Sequence, residues 1–288
     1  MPGTESWLQG AAAGAHYVLA TPRRSPDGHR GSELSRQAGS SLEFKEHRNY
    51  QPGDDLRRID WNVYARTEKL TVKLYHQEVH PHLEIVLDGS LSMNLPDTPK
   101  AQAAFGLAAM LCTAAANARF THQVWLCEAQ CMPLPHGHES PMMWSLPAFS
   151  GGQSLLEALL HHPISWSAHG VRVLISDLLW PGAPSAFLRQ FAGSAAQTVI
   201  VQVCSEQDLQ VEQRGSMLLI DSETGAQQEV MIDAALARDY QSALHEHQEL
   251  WHQASRQSGT ILTSVVAEQI VQDWHVDALL QAGILRFQ

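Results

Sequence analysis

Three oxygen-bearing side chains stand on alternate residues in Asp88-Gly89-Ser90-Leu91-Ser92. They follow Leu83-Glu84-Ile85-Val86-Leu87, a short and mostly apolar run that reads as a strand buried on both faces of a parallel sheet. Gly89 permits a sharp bend, so the three oxygens can converge beyond the strand's C-terminal end, where ligands sit in open α/β sheets. One carboxylate with hydroxyls suits a hard cation that keeps its waters, such as Mg²⁺ with ligands at about 2.0–2.1 Å. Mn²⁺ accepts the same set. Asp and Ser at these positions serve equally well as an N-cap and turn, and spacing alone does not separate the two roles. A second buried run, Val171 to Ser176, also ends in a carboxylate, Asp177.

The elements that must position these groups follow from pattern. Leu70 to Tyr75 alternates in period two and is expected to flank the central sheet. Thr98 can cap, and Pro99 can open, a helix running to about Asn117 that is apolar nearly all round and therefore buried. Gln123 to Glu128 is the next strand, with Cys131 to Leu134 returning as a hairpin. Gly151-Gly152-Gln153-Ser154 precedes a helix over 155–162. Pro184 to Ala192 is helical, and Thr198 to Cys204 is another buried strand. Ser216–Asp221 and Gln227–Ile232 flank Ser222-Glu223-Thr224-Gly225 as a β-hairpin. A long helix from Asp233 to Ser258, a strand over 260–266 and a final helix over 271–285 close the chain. Near the N-terminus a short helix is expected around Trp7 to Ala20, with a turn at 25–28. Strands alternating with helices give an α/β fold with a mostly parallel, doubly wound sheet. The expected division is an N-terminal extension over 1–80 and a main domain over 81–288.

The segment 42–78 is dense in charge. Gln51-Pro52-Gly53-Asp54 fits a type II turn, and Asp54 or Asp55 can cap a short helix. Arg57, Arg58 and Arg66 stand among Glu43, Glu46, Asp54, Asp55 and Asp60. Such a balanced set serves either as an ion-pair lattice or as a docking surface whose arginines read carboxylates on a partner.

Two resemblances attach to these residues. The Asp88-x-Ser90-x-Ser92 pattern closing a buried strand resembles the metal-ion-dependent adhesion site of von Willebrand factor A domains. That likeness implies a von Willebrand factor A-like fold, with Asp88, Ser90 and Ser92 on the metal and Asp177 acting through a water. A Gly-Gly-Thr in those domains contributes its Thr; here Gln153 stands at that position with Ser154 beside it, so either Ser154 substitutes or the site binds poorly. Glu43-Phe44, then Tyr50-Gln51-Pro52-Gly53-Asp54-Asp55-Leu56-Arg57-Arg58-Ile59-Asp60-Trp61 and Ala65-Arg66-Thr67, resemble the signature of the bacterial family called domain of unknown function 58. With the metal-site motif the likeness spans roughly residues 30 to 180. Proteins of that kind are typically encoded beside MoxR-type AAA+ ATPases and are thought to assist assembly or maturation of other protein complexes. The resemblance thus implies a non-catalytic, Mg²⁺-dependent adaptor with an ATPase partner.

Composition bounds the alternatives. The chain has 288 residues, of which 44% are hydrophobic, and a net charge of −11, enough apolar content for a sizeable core. Residues 21–80 carry 11 Lys/Arg against 9 Asp/Glu, and residues 81–288 carry 8 against 20. An acidic body argues against nucleic-acid binding and favours cations and basic surfaces. Cys112, Cys127, Cys131 and Cys204 are too few and scattered for a disulfide framework, which suits a reducing compartment. Cys127 and Cys131 lack a second Cys/His pair at zinc spacing. Met1–Ala20 has no basic n-region, and the Ala-rich stretch 101–118 reads as a buried helix rather than a span. The expected location is the cytoplasm, with no membrane span. No nucleophile elbow, P-loop or dinucleotide fingerprint is present. Phosphoryl transfer at Asp88 and Asp177 would need a companion lysine, and Lys100, the nearby one, is assigned to the first long helix. A structural scaffold with a vestigial metal site is the other alternative. His245, His247 and His252 are expected to be solvated.

Overall fold

The computed structural model describes residues 6–20, 42–77, 81–152, 155–161, 163–167, 169–211 and 213–288. In chain order these form α1 (Ser6–Gly14), β1 (Tyr17–Leu19), β2 (Leu42–Asn49), α2 (Trp61–Thr67), β3 (Thr71–Gln77) and β4 (His82–Asp88). There follow α3 (Lys100–Asn117), β5 (Thr121–Cys127), β6 (Cys131–Pro133), α4 (Leu155–His161), β7 (Val171–Ser176), α5 (Pro184–Phe191) and β8 (Gln197–Cys204). The remainder is α6 (Glu206–Leu209), β9 (Gly215–Ile220), β10 (Gln227–Ile232), α7 (Ala234–Ser258), β11 (Ile261–Val266), α8 (Ala267–Asp273), α9 (Asp277–Gln281) and β12 (Leu285–Phe287). The chain divides into two compact units, one of residues 1–26 with 81–288 and the other of residues 27–80.

In the larger unit a six-stranded sheet has the order β11-β8-β7-β4-β5-β6. All neighbouring pairs are parallel except β5 with the short β6. The apolar runs explain why these strands lie inside: β4 and β7 are buried along nearly their whole length, as parallel strands covered on both faces must be. Alternate side chains serve two separate cores. Ile85, Leu87, Val173, Ile175, Val199 and Val201 pack with α3 on one face. Val86, Leu174 and Ile200 pack with Leu155, Leu159, Phe187, Phe191 and Trp251 from α4, α5 and α7 on the other.

From β4 the chain passes to β5 on one side of the sheet and later returns to β7 on the other. The tips of β4 and β7 therefore flank the point where the winding reverses, which is where α/β sheets bind ligands.

α3 is buried all round, as its lack of charge between Lys100 and Arg119 requires. No helix among the described residues is long and apolar enough to cross a membrane. Thr98 does not cap α3; its hydroxyl donates to the Leu95 carbonyl at 3.1 Å.

The ends of the chain depart from expectation. The N-terminal helix stops at Gly14, and β1 then pairs antiparallel with β12, Val18 opposite Arg286. α1 lies so close to α3 that a Cβ on Gly10 would stand 2.2 Å from the Gly106 carbonyl oxygen, a contact only glycine permits. Residues 6–20 thus pack with the main body rather than with an extension. The expected final helix is two short helices, broken where Trp274 takes a left-handed conformation at φ 56° and ends α8.

In the smaller unit β2 and β3 form an antiparallel pair with a bulge between Phe44 and Glu46. β3 therefore pairs with β2 and not, as its pattern suggested, with the central sheet. Asp55 caps the 3-10 turn Leu56–Arg58, and Asp60 caps α2 through the amides of Asn62 and Val63. Gly53 has φ 107°, and the Asp54 amide donates to the Gln51 carbonyl at 3.0 Å, the type II turn that Pro52-Gly53 implied. The turn expected at 25–28 lies outside the described residues.

Candidate functional site

The site starts from Asp88, the last residue of β4, which is 2% exposed. Its Oδ2 accepts a hydrogen bond from Ser176 Oγ on the tip of β7 at 2.6 Å, and its Oδ1 accepts the Ser90 amide at 3.1 Å. The adjoining strand tips are thereby tied together through one carboxylate. Burial, and then the charge of Asp177, pushes Asp88 up to about 6 from 3.8. A carboxylate so placed favours a nearby cation, which would reverse that cost of ionisation.

Beyond Gly89 the Ser90 and Ser92 hydroxyls lie 3.0 Å apart and hydrogen-bonded. The Gly151 segment is laced to this loop: Leu91 donates to the Gly151 carbonyl, and the Gly151 amide donates to the Gly89 carbonyl, each at 2.9 Å. A Cβ on Gly151 would sit 2.7 Å from the Glu128 backbone, so glycine is required for this close approach. The Gly151-Gly152 segment is thus brought beside the serine loop. Gln153 and Ser154 lie outside the described residues.

Asp177 is fully enclosed, and its partner is Lys100. The Lys100 ammonium, with no exposure, lies 3.1 Å from Asp177 Oδ2 and 3.1 Å from Asp208 Oδ2. Burial alone would push this lysine down, but Asp177 and Asp208 outweigh it and hold it above its usual range. Asp208 is fixed by a reciprocal cap with Ser205 at the start of α6. Lys100 therefore lies on α3, as expected, and also reaches the tip of β7.

Leu178, the next residue, is fully buried in a left-handed conformation at φ 61°. Such backbone costs about 1–3 kcal/mol and gathers at functional sites. It is held by the Ser176 hydroxyl, which accepts the Leu178 amide at 2.9 Å, and by His247 on α7, whose Nε2 lies 2.7 Å from the Leu178 carbonyl. His247 is therefore not a solvated histidine.

A further carboxylate arrives from the β9–β10 hairpin, where Glu223 Oε1 accepts the Ser92 amide at 3.0 Å. Among the described residues, no three His, Cys, Asp or Glu side chains converge as a ready-made metal cluster. The assembly at the tip of β4 is instead one buried carboxylate with two hydroxyls, all hard oxygens. Its donor chemistry fits an oxygen-seeking divalent ion that keeps waters.

Residues 46–250 match the family described as protein of unknown function DUF58. The chain belongs to that family. It is 26% identical over 283 residues to the uncharacterized protein Rv1480 of Mycobacterium tuberculosis, covering 92% of this chain and 87% of that protein. Mb1516 of Mycobacterium bovis, also uncharacterized, matches to the same extent. Among solved structures, BatB from Bacteroides thetaiotaomicron aligns over 67% of this chain and 97% of its own, at 13% identity and a TM-score of 0.34. An aerotolerance-related membrane protein from Bacteroides fragilis aligns over 61% and 99%, at 13% identity and a TM-score of 0.33. Scores this low carry no argument about this chain.

The family segment in the smaller unit contains the three arginines. Arg57 is 93% exposed at its side chain, with Asp55 3.7 Å away. Arg66 is exposed in the last turn of α2, where a cation suits the helix end. The Arg58 side chain lies outside the described residues. The acidic residues of this segment meet other cations: Arg48 lies 2.7 Å from Asp54, and His47 lies 2.9 Å from Asp60. Leu56 and Trp61 are each 61% exposed beside these arginines in sequence.

One cysteine expectation is corrected. Cys127 and Cys131 form a disulfide across the β5–β6 turn, because the tight hairpin places the paired positions opposite each other. Cys112 and Cys204 are free and buried. Met142 and Met143 are exposed, whereas Trp144 is buried against Phe105 and donates to the His136 carbonyl at 2.9 Å.

Sequence reasoning missed Ser176, Asp208, His247 and Glu223. Ser176 carried a signal, since it precedes Asp177 at a strand tip. The other three become visible only through contacts spanning long stretches of chain.

Proposed function

We propose that this chain is a non-catalytic, cation-dependent protein-binding adaptor with a von Willebrand factor A-like fold. It acts with a MoxR-type AAA+ ATPase in the assembly or maturation of other protein complexes. The observation that carries this reading is the enclosed Asp88 carboxylate beside the Ser90 and Ser92 hydroxyls at the reversal point of the sheet. Asp88, Ser90 and Ser92 would hold Mg²⁺ or Mn²⁺, with Ser154 as a further ligand and Asp177 as an outer group restrained by Lys100. The cation would supply an open coordination position that a carboxylate on another protein fills. Arg57, Arg58 and Arg66 supply a separate, positively charged contact for the ATPase.

The phosphoryl-transfer alternative gains a lysine beside Asp177, but that lysine is sealed from solvent and paired on two sides. It is poorly placed to reach a substrate. The scaffold alternative draws on the same pair, since the Lys100 ammonium already balances Asp177. The deciding experiment is retention of a purified MoxR-type ATPase on the immobilised full chain, in Mg²⁺ and in EDTA. The adaptor reading expects retention in Mg²⁺ that is lost in EDTA and in Asp88→Ala. Equal retention under all these conditions would overturn it.

A further inference from the structure

The β9–β10 hairpin carries its apolar side chains outward. Leu218, Leu219, Ile220 and Met231 are 54%, 48%, 61% and 64% exposed, although Leu218 and Leu219 point to opposite faces of the ribbon. A two-stranded ribbon with so little burial is marginal by itself.

Its tip, in contrast, is tightly built. Asp221 Oδ1 accepts the amides of Glu223 and Thr224 at 2.8 and 2.9 Å, and Gly225 closes the turn at φ 70°. That turn delivers Glu223 to the serine loop, where Oε1 takes the Ser92 amide at 3.0 Å. The tip also crosses the glycine segment, since a Cβ on Gly152 would meet the Glu223 carbonyl oxygen at 3.7 Å. Glu223 Oε2 is buried with no hydrogen-bond partner among the described residues. An unpartnered carboxylate oxygen is costly to bury, and a cation on the adjacent serine oxygens would supply its counter-charge.

We infer that Glu223 is a tethered carboxylate holding, within the same chain, the place at the Asp88–Ser90–Ser92 site that a partner's carboxylate takes. The hairpin is then a strap that must lift before an acidic partner residue can dock. This rests on the cation site proposed above. The competing role is a plain cap, with Glu223 doing no more than satisfying the Ser92 amide of the 3-10 turn Leu91–Asn94. A plain cap is indifferent to Mg²⁺, and the strap is not.

The test uses the full chain and its Glu223→Ala variant, each stripped of metal and then given Mg²⁺ alone. Hydrogen exchange is followed over residues 215–232 and over the serine loop, and melting temperature is followed with and without added acetate as the free carboxylate. The expected result is that Mg²⁺ slows exchange of the hairpin in the wild type but not in Glu223→Ala. The variant still melts higher in Mg²⁺, and acetate raises its melting point further while leaving the wild type unchanged. If Mg²⁺ stabilises both proteins while hairpin exchange and the acetate response are the same in each, the strap is refuted and the cation site stands. If Mg²⁺ changes nothing in the wild type, both fall.

Discussion

Replacing Asp88 with Asn should stabilise the cation-free protein at neutral pH, even though Asp88 is the centre of the proposed site. Burial and the neighbouring Asp177 raise this carboxyl to about 6 from 3.8. A tenfold change in an acid constant corresponds to about 1.4 kcal/mol, so holding Asp88 ionised costs the fold up to about 3 kcal/mol at neutral pH. The folded value lies above the unfolded one. The stabilising contribution is therefore complete below about pH 3.8 and is lost as pH rises through about 6. About half of it should disappear between about pH 5 and about pH 7.5. Asn stays neutral throughout, offers its carbonyl oxygen to the Ser90 amide, and can donate its amide to Ser176 Oγ. Urea unfolding in EDTA should show wild-type stability falling across that interval. Asp88→Asn should lack this component and exceed the wild type by about 3 kcal/mol at the upper pH. Adding Mg²⁺ should help the wild type alone. A variant less stable than wild type in EDTA at the upper pH would refute the reasoning, because Asp88 would then be a stabilising anion.

Other parts of the molecule give sharper structural tests. Arg172 is fully buried, with Nη1 donating to the Phe191 and Gly193 carbonyls at 2.8 and 3.1 Å and the guanidinium 4.7 Å from the Trp166 ring centroid. Its Nε lies 3.6 Å from Glu84, so Arg172→Ala should lose about 3–5 kcal/mol in urea unfolding. Lys100→Met leaves Asp177 and Asp208 buried without their cation and should cost a similar amount, about 3–5 kcal/mol. Since the lysine is held above its usual 10.5, that loss should be constant across neutral pH and shrink in strong alkali. Thiol titration of the denatured, unreduced protein should find Cys112 and Cys204 alone, with Cys127 and Cys131 appearing only after reduction.

The chemistry-bearing strand tips were legible because a parallel strand covered on both faces writes itself as a mostly apolar run. Leu83–Leu87 and Val171–Ile175 are interrupted by Glu84 and Arg172 alone, and the polar residues that end the runs, Asp88 and Ser176, mark the sheet edge. The same holds for α3, whose uncharged length leaves burial as its stable environment. The partners of these tips were not legible. Glu223 reaches Ser92 across 131 positions and Lys100 reaches Asp177 across 77, distances over which no local pattern carries information. The β1–β12 pairing was missed for the same reason, since two strands of three residues each make no periodic signal. The disulfide depended on the tightness of one turn, which composition does not specify. In the last segment helical spacing was read correctly in outline, but the left-handed Trp274 divided it.

The most direct measurement is calorimetric titration of Mg²⁺ into metal-stripped full chain, beside a Ser90→Ala/Ser92→Ala double variant that keeps Asp88 and removes both hydroxyls. A cation held by the serine loop should give saturable binding at one site in the wild type. A melting shift should accompany it, equivalent to about 2.7 kcal/mol when Mg²⁺ reaches about a hundred times its dissociation constant. Both signals should be absent from a double variant that retains the same secondary structure. Silence from the wild type, or equal binding by the two proteins, would contradict the claim that this serine loop exists to hold a cation.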